Sequence, residues 1–261
     1  MIPGVSAEAG RDPWYASWFG EEYLALYPHR DDLEAFRQSQ WAFALLQPWA
    51  RKGRVGFLDL ACGTGRHAVE LRGEGGVVGL DLSFPLLLEA RERSVVPRPG
   101  YLRGDMRSLP FRPGSFGAVV NFFTSFGYFD DPAEDARVLT EVARALAPGG
   151  VFLSDLFNAE RVLATLVSQE EKTVAGERVS IRRHFDPATR RLTKEIRMGD
   201  PAAGRGFTER VRVYLEAELR ELHDRSGFEV LEAFGDFDGS PFQPRRSPRL
   251  ILLARRREFP A

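Results

Sequence analysis

The sequence predicts an α/β protein built on a doubly wound parallel sheet, and three observations carry that prediction. From Val55 onward, short apolar runs such as VGFLDLA, VVGLDL and GAVVNFF alternate with helix-like segments, the pattern of a parallel sheet covered on both faces. A glycine-rich turn follows the first run at Gly63 and Gly65, and the second run ends on Asp81. Sheets of this kind bind ligands at the carboxyl ends of their strands, so we expect the functional site there.

Length and composition narrow the class of protein. The chain has 261 residues, 43% of them hydrophobic and 28% charged, with a net charge of -1, which excludes a disordered chain and a strongly basic nucleic-acid binder. Its single cysteine, Cys62, excludes an intramolecular disulfide and a cysteine-based zinc cluster, and we expect no metal. With no signal-like start and no run of about 20 apolar residues, a cytoplasmic protein without a membrane segment is expected, as a monomer or homodimer.

The N-terminal residues 1–50 are expected to form a helical cap. Several aromatic residues lead into the segment DLEAFRQSQWAFALLQPW, whose apolar positions recur with helical spacing. We expect this helix to end near Pro48. The residues expected on its buried face are Leu33, Phe36, Trp41 and Leu45.

The main domain is expected to comprise residues 51–170 and 214–261. Its helices are predicted in RHAVELRGEG after Gly65, in SFPLLLEARERS with Ser83 as N-cap, in PAEDARVLTEVARALA and in LEAELRELHDRSG. The segments FEVLEAFGDF and PRLILLARR are predicted as its last strands. Residues 171–213 instead alternate with period two in VSIRRHF, RLTKEIRM and ERVRVY, which predicts an inserted antiparallel sheet with one exposed face.

The residues around the turn indicate which ligand it holds. Gly63, Gly65 and Ala68 fit the G-x-G-x-x-G/A spacing of dinucleotide-binding turns, although such a turn can also serve only to pack a strand against a helix. Asp81 is placed to accept hydrogen bonds from ribose hydroxyls. Asp59 lies within the first strand without a cationic neighbour in sequence, and a buried carboxylate needs a partner, which a ligand ammonium would supply.

A third carboxylate, Asp105, follows the third strand beside the apolar Met106 and suits the edge and face of an adenine. Ribose, amino group and adenine together describe S-adenosylmethionine. Over about residues 55–158 the chain resembles class I S-adenosylmethionine-dependent methyltransferases in the segments LDLACGTGRHAVEL, VVGLDLS, YLRGDMRSLPF, FGAVVNFFTSFGYF and LTEVARALAPGGVFLSDL. The resemblance implies a Rossmann-like seven-stranded sheet of order 3-2-1-4-5-7-6, with PRLILLARR as the antiparallel seventh strand.

The resemblance also implies roles for individual residues. Asn121 and Phe122 would lie beneath the sulfonium, and the other positions would surround the rest of the donor. Those positions are Asp59, Ala61, Gly63 and Gly65 at the methionine part, Asp81 and Leu82 at the ribose, and Asp105 and Met106 at the adenine. For each carboxylate the alternative is a helix cap or a solvated turn.

Methyl transfer needs alignment of an acceptor with the methyl carbon and exclusion of water, but no covalent enzyme nucleophile. An aromatic lining suits the dispersal of sulfonium charge, and Phe122, Phe123, Phe126 and Tyr128 are expected to supply it. The loop Asn121-Phe122-Phe123-Thr124 departs from the Asn/Asp-Pro-Pro-aromatic pattern of amino-methyltransferases acting on DNA, and Cys62 lies in the cofactor turn rather than where pyrimidine C5 methylation would need it.

The residues expected to bind the acceptor or to remove its proton lie mainly in the cap. His29 is the best candidate for a general base, with a surface histidine as the alternative. Tyr15, Tyr23 and Arg30 could reach the methionine carboxylate or the acceptor, or the tyrosines could only pack the cap onto the sheet. The remaining histidines are assigned to packing (His67) or to exposed positions (His184 and His223).

The inserted sheet is basic: between residues 171 and 197 eight Lys and Arg stand against four Asp and Glu, a net +4. We favour solvated strand faces over a surface for RNA or an anionic metabolite, since no aromatic residues are interleaved in a stacking pattern. A position over the active site would make the insertion a lid.

The predicted function is transfer of a methyl group from S-adenosylmethionine to an oxygen or nitrogen acceptor on a small molecule. The alternatives are an RNA (tRNA) or protein methyltransferase of the same fold, a nicotinamide (NAD) dehydrogenase, and a non-catalytic binding module.

Overall fold

The computed structural model describes residues 13–26, 32–71, 75–94, 98–174, 176–199 and 204–258. A seven-stranded sheet of order β10-β11-β5-β4-β1-β2-β3 forms its centre. Its strands are β1 (Val55–Leu60), β2 (Val77–Asp81), β3 (Gly100–Arg103), β4 (Phe116–Asn121), β5 (Leu146–Phe157), β10 (Phe228–Phe234) and β11 (Arg249–Arg256). β11 runs antiparallel to both of its neighbours, β5 and β10, and the other six strands share one direction. The predicted sheet, its strand order and its antiparallel strand are confirmed.

Helices cover both faces of this sheet. They are α1 (Trp14–Trp18), α2 (Glu21–Leu26), α3 (Asp32–Ala50), α4 (Phe84–Arg93), α5 (Pro132–Ala145), α6 (Ala159–Ala164) and α7 (Glu216–Arg225). Leu58 and Val119 belong to one core cluster with residues of α5 and α7, whereas Phe57 and Ala118 belong to a second cluster with residues of α3. Because successive strand residues point to opposite faces, two buried faces explain the near-continuous apolar strands.

The buried face of α3 differs from the prediction. Leu33 and Phe36 are 53% and 45% exposed, and the buried positions are mainly small residues: Ala35, Gln38, Ser39, Ala42, Leu46 and Ala50. A Cβ on Gly117 of β4 would lie 2.2 Å from the carbonyl oxygen of Trp49, so the last turn of the helix lies directly against the backbone of β4. The helix ends at Ala50, two residues after Pro48, close to the expected position.

The predicted helix after Gly65 is present only as irregular turns over residues 66–70. Val69 N donates to Gly65 O at 3.0 Å, but Glu70 N and Leu71 N both donate to His67 O, which interrupts the helical ladder. The side chains of Arg66 and His67 are buried, and their burial fixes the backbone independently of helical bonding.

The insertion is a separate antiparallel sheet of four strands: β6 (Gln169–Val174), β7 (Glu177–Asp186), β8 (Arg191–Met198) and β9 (Arg205–Arg212). The sequence indicated three strands and missed β6. Apolar residues of this sheet, including Ile181 and Ile196, form one cluster with Trp18 and Tyr23 of the cap, and Trp18 Nε1 donates to Glu209 Oε1 at 2.9 Å. Cap and insertion therefore pack as one unit.

Within the ranges that the structure describes, no helix is both long and apolar enough to cross a membrane. The same residues contain no group of three or more His, Cys, Asp or Glu side chains that could hold a metal ion.

Candidate active site

A cavity of about 710 Å³ lies at the carboxyl ends of β1, β2 and β4, between the central sheet and the unit formed by cap and insertion. Of the residues predicted for the site, the following line it: Tyr15, Tyr23, Asp59, Ala61, Gly63, Asp81, Leu82, Asp105, Met106, Phe122 and Tyr128. His29 and Arg30 lie outside the described residues. Gly65 and Asn121 do not line the cavity.

The turn after β1 follows a left-handed path at Ala61, Gly63 and Gly65, with φ of 58°, 54° and 69°. Glycine suits such angles because it has no Cβ. A Cβ on Gly65 would lie 2.4 Å from the hydroxyl of Tyr101, so this glycine serves close packing behind the turn and not ligand contact. Gly63, in contrast, lines the cavity, and its missing side chain leaves room for a ligand against the backbone.

Asp81 braces this turn. Its Oδ2 accepts a hydrogen bond from Gly63 N and its Oδ1 one from Ser83 N, each at 2.8 Å. Burial raises the pKa of Asp81, against the lowering effect of these backbone bonds. Since each carboxylate oxygen offers two lone pairs, Asp81 can hold the turn and still accept bonds from a ligand diol.

Asp59 lines the cavity as a buried acidic side chain with an incomplete set of hydrogen bonds. It is 1% exposed, and its Oδ2 has no hydrogen-bond partner among the described residues. Burial, reinforced by the neighbouring Asp81, raises its pKa to about 8, while Arg66 and the backbone N–H of Ala68 act in the opposite direction. Asp59 has no cationic neighbour in sequence, but the fold brings Arg66 close. A ligand ammonium would still meet an unused carboxylate oxygen.

Asp105 is held by a neighbour in the chain. Arg107 donates from its backbone N to Oδ1 at 2.8 Å and from Nη2 to Oδ2 at 2.6 Å. Burial works against ionisation of Asp105, but the bonds from Arg107 outweigh it and lower the pKa. Arg107 also pairs with Glu134 and lies 4.5 Å from the ring centre of Phe129. Any ligand must therefore share this carboxylate with Arg107.

The end of β4 differs from the predicted arrangement. Asn121 is 1% exposed, and its Nδ2 donates to Leu60 O at 2.8 Å. It therefore joins β4 to β1 below the cavity and is not one of the lining residues. Phe122 lines the cavity and stacks on His67 with ring centres 4.4 Å apart. Phe126 is buried in the main core instead.

Sequence reasoning missed the residues that support the loop after β4, because they come from distant strands. Phe123 and Thr124 both have positive φ, 60° and 58°, and both line the cavity. Asp155, fully buried on β5, accepts from Phe123 N at 2.8 Å and from Arg249 Nε at 2.6 Å. Arg249 Nη2 reaches Thr124 Oγ1 at 3.2 Å. These bonds offset the cost of left-handed backbone at non-glycine residues.

The described histidines divide into three environments. His67 lines the cavity but is buried, with Nε2 2.9 Å from Gln38 Oε1. His184 is exposed as predicted. The prediction for His223 was wrong: it is 1% exposed, its Nδ1 lies 2.8 Å from Leu219 O, and burial lowers its pKa to about 4.

Aromatic side chains form the wall facing the turn. Tyr128 lies 4.9 Å from Trp14 and 5.8 Å from Phe19 between ring centres, and all three line the cavity. Tyr15 contacts Tyr128 and Phe129, and Tyr23 contacts Phe19. The tyrosines of the cap therefore both pack it together and border the cavity.

Comparisons with known proteins agree with this architecture. Residues 57–150 match the family model described as a methyltransferase domain. The dTDP-3-amino-3,4,6-trideoxy-alpha-D-glucopyranose N,N-dimethyltransferase of Streptomyces venezuelae is 33% identical over 184 residues, which cover 66% of this chain and 75% of that protein. A glycine/sarcosine N-methyltransferase of Halorhodospira halochloris is 27% identical over 235 residues, which cover 84% of this chain and 83% of that protein.

Among solved structures, an S-adenosylmethionine-dependent methyltransferase from Clostridium acetobutylicum shares the fold with a TM-score of 0.76 at 18% identity, covering 91% of this chain and 98% of that one. Strand order, glycine turn and sequence similarity lead to one conclusion. The chain belongs to the class I S-adenosylmethionine-dependent methyltransferase family.

Proposed function

We propose that this protein methylates an amine, or less favourably a hydroxyl, on a small-molecule acceptor. The observation that carries the proposal is the cavity of about 710 Å³, which joins the donor turn to an aromatic wall beneath the cap and insertion. Small-ligand pockets span about 300–1,000 Å³, so this volume suits a donor with a compact acceptor. The names of both sequence relatives specify N-methylation, which favours nitrogen over oxygen.

The residues around the turn fit S-adenosylmethionine. The unpartnered Oδ2 of Asp59 would receive its ammonium, the Gly63 backbone and Asp81 would hold its ribose, and Leu82 and Met106 would border its adenine with Asp105 at the edge. When bound, this donor supplies a methyl carbon activated by a sulfonium. Asn121 acts from below as a positioning residue, since its bond to Leu60 O fixes the strand ends that carry the site.

The chain's own contribution to transfer is alignment and exclusion of water. Phe122 and Tyr128 line the cavity and would border the space in which the reacting atoms meet, where an aromatic wall disfavours water. Ring faces attract positive charge, so these side chains hold a cationic group without a fixed anion. His29, as a general base for an acceptor proton, remains a prediction.

The alternatives make different demands on the surface. An RNA methyltransferase would use accessible cations, and Arg182 and Arg197 of the insertion are exposed, but Arg183 and Lys194 face the cavity. A nicotinamide dehydrogenase has no support among the relatives.

Calorimetric titration with S-adenosylmethionine and S-adenosylhomocysteine tests the donor site, and transfer of labelled methyl to a panel of small amines, small alcohols and bulk tRNA tests the acceptor class. We expect saturable binding of both ligands and labelling of amines. Labelling of tRNA alone would refute the small-molecule proposal, and absence of binding would refute the donor site.

A further inference from the structure

A row of charged side chains crosses the cavity face of the inserted sheet. Arg183 of β7 is the register partner of Lys194 of β8, and Lys194 is the partner of Glu209 of β9. All three line the cavity. The rows on either side, which share this face because side chains alternate along a strand, are apolar in β7, β8 and β9, and β6 continues one of them with Glu170, the register partner of Ile181. Those rows are Ile181, Ile196 and Phe207 on one side and Phe185, Leu192 and Val211 on the other.

Charges at these positions are costly. The side chains of Arg183, Lys194 and Glu209 are 21%, 20% and 21% exposed, and charged groups that lose most of their water need compensation. Apolar residues would continue the neighbouring rows without that cost. Arg183 and Lys194 are therefore two cations that line the cavity from a largely apolar part of the sheet, where a charged ligand would add to the compensation that their own ion pairs give.

Internal ion pairs hold the row in place. Arg183 Nη2 lies 2.6 Å from Glu170 Oε2, and Lys194 Nζ lies 3.2 Å from Glu209 Oε2. Glu209 also accepts the bond from Trp18 Nε1, which fixes it to the cap. Glu170 does not line the cavity, so the lining members of the cluster carry two positive charges and one negative.

We propose that Arg183 and Lys194 bind an anionic group of the methyl acceptor, a phosphate or a carboxylate, so that the substrate class is an amine that carries an acidic group. This inference rests on the proposed function. Arg183 suits the role because its planar guanidinium can donate two parallel hydrogen bonds to either anion. Glu170 orients Arg183 from the neighbouring row of the same face and competes with the ligand for it.

The test titrates pyrophosphate and malonate, as phosphate and carboxylate probes, into protein saturated with S-adenosylhomocysteine, by calorimetry at low ionic strength. We expect one of the probes to bind. Charge-assisted hydrogen bonds of about 1.5–3 kcal/mol correspond to a loss of roughly ten- to a hundredfold in probe affinity for Arg183→Met or Lys194→Met. Arg182→Met is the matched control, because Arg182 is adjacent on β7 and exposed, and it should change affinity little.

Glu170→Gln gives an effect of opposite sign. Removing the competing carboxylate should strengthen probe binding by about fivefold, the equivalent of one partly exposed ion pair. A variant that merely damaged the sheet could not produce this gain. Binding of pyrophosphate alone would indicate a phosphate-bearing acceptor, and binding of malonate alone a carboxylate-bearing one.

Three results would overturn the inference: neither probe binds the wild-type protein, Arg182→Met weakens binding as much as Arg183→Met, or Glu170→Gln weakens it. Binding of S-adenosylhomocysteine is measured in every variant and should stay unchanged. Failure of the wild-type protein to bind S-adenosylhomocysteine would refute the proposed function together with this inference, whereas intact binding without probe binding refutes the inference alone.

Discussion

Replacing Asp59 by asparagine is expected to stabilise the fold while weakening donor binding. Burial and the neighbouring Asp81 raise the pKa of Asp59 to about 8, from an ordinary value of 3.8. At pH 7 the unfolded chain ionises this carboxyl freely, whereas the folded chain holds it protonated. The ordinary pKa lies about three units below pH 7, and each unit corresponds to about 1.36 kcal/mol. The raised pKa therefore lowers the free energy of unfolding at pH 7 by at most about 4 kcal/mol. Asparagine has the same shape and avoids this cost.

The sign and the pH window follow from the raised pKa. The wild-type protein benefits fully from protonated Asp59 below about pH 4, loses that stability as the pH rises towards 8, and loses no more above it. Asp59→Asn lacks this dependence, while groups that do not interact with Asp59 titrate alike in both proteins. The stability difference in favour of the variant should therefore grow between pH 5 and pH 8, by at most about 4 kcal/mol.

Urea unfolding of both proteins at pH 5 and pH 8 measures this difference. Calorimetry measures donor affinity, which should fall by about tenfold or more, because the donor's ammonium would favour ionised Asp59 on binding and asparagine cannot form that ion pair. Asp155→Asn is the matched control. It changes a buried aspartate whose oxygens already accept from Arg249 Nε and Phe123 N, so it should destabilise the protein. A stability difference for Asp59→Asn that does not vary with pH, or unchanged donor affinity, would contradict the reasoning.

Asp81→Ala should weaken S-adenosylmethionine binding by one to a few kcal/mol, since charge-assisted bonds are worth about 1.5–3 kcal/mol; unchanged affinity in calorimetry would remove Asp81 from the ribose site. Gly65→Ala should destabilise the protein by more than about 2 kcal/mol, because the new Cβ meets Tyr101. Gly76→Ala, also at positive φ but in open space, should cost only the backbone strain in urea unfolding, and equal losses would refute the clash. His223→Phe should reduce the loss of stability between pH 6.5 and 4, because burial lowers the pKa of His223 to about 4; identical acid unfolding curves would contradict this.

The central sheet could be predicted from the sequence because its signals are local. Most strands of the sheet carry their own apolar run, and the ligand turn follows β1 directly, so alternation and spacing suffice. The strand β6 was missed because its sequence, QEEKTV, is polar and exposed along much of its length. It becomes a strand by pairing with β7, which is a tertiary effect.

The remaining errors concern contacts between distant segments. The buried face of α3 is set by the close approach of Trp49 to Gly117, which helical periodicity cannot show. His223 lies under Phe152 and Phe228, which come from two strands. The charged row of the insertion looked like part of a solvated face, because the register that aligns Arg183, Lys194 and Glu209 exists only in the folded sheet.

The placement of β11 has a consequence for biosynthesis. Asp155 of β5 accepts a hydrogen bond from Arg249 of β11, 94 positions away in sequence, and β11 separates β5 from β10. While a nascent chain is still being translated, β5 therefore waits with one edge unsatisfied until β11 emerges from the ribosome. An open, apolar strand edge invites pairing with other chains, so expression at lower temperature or with chaperones should raise the yield of native protein, and loss of β11 should lead to aggregation.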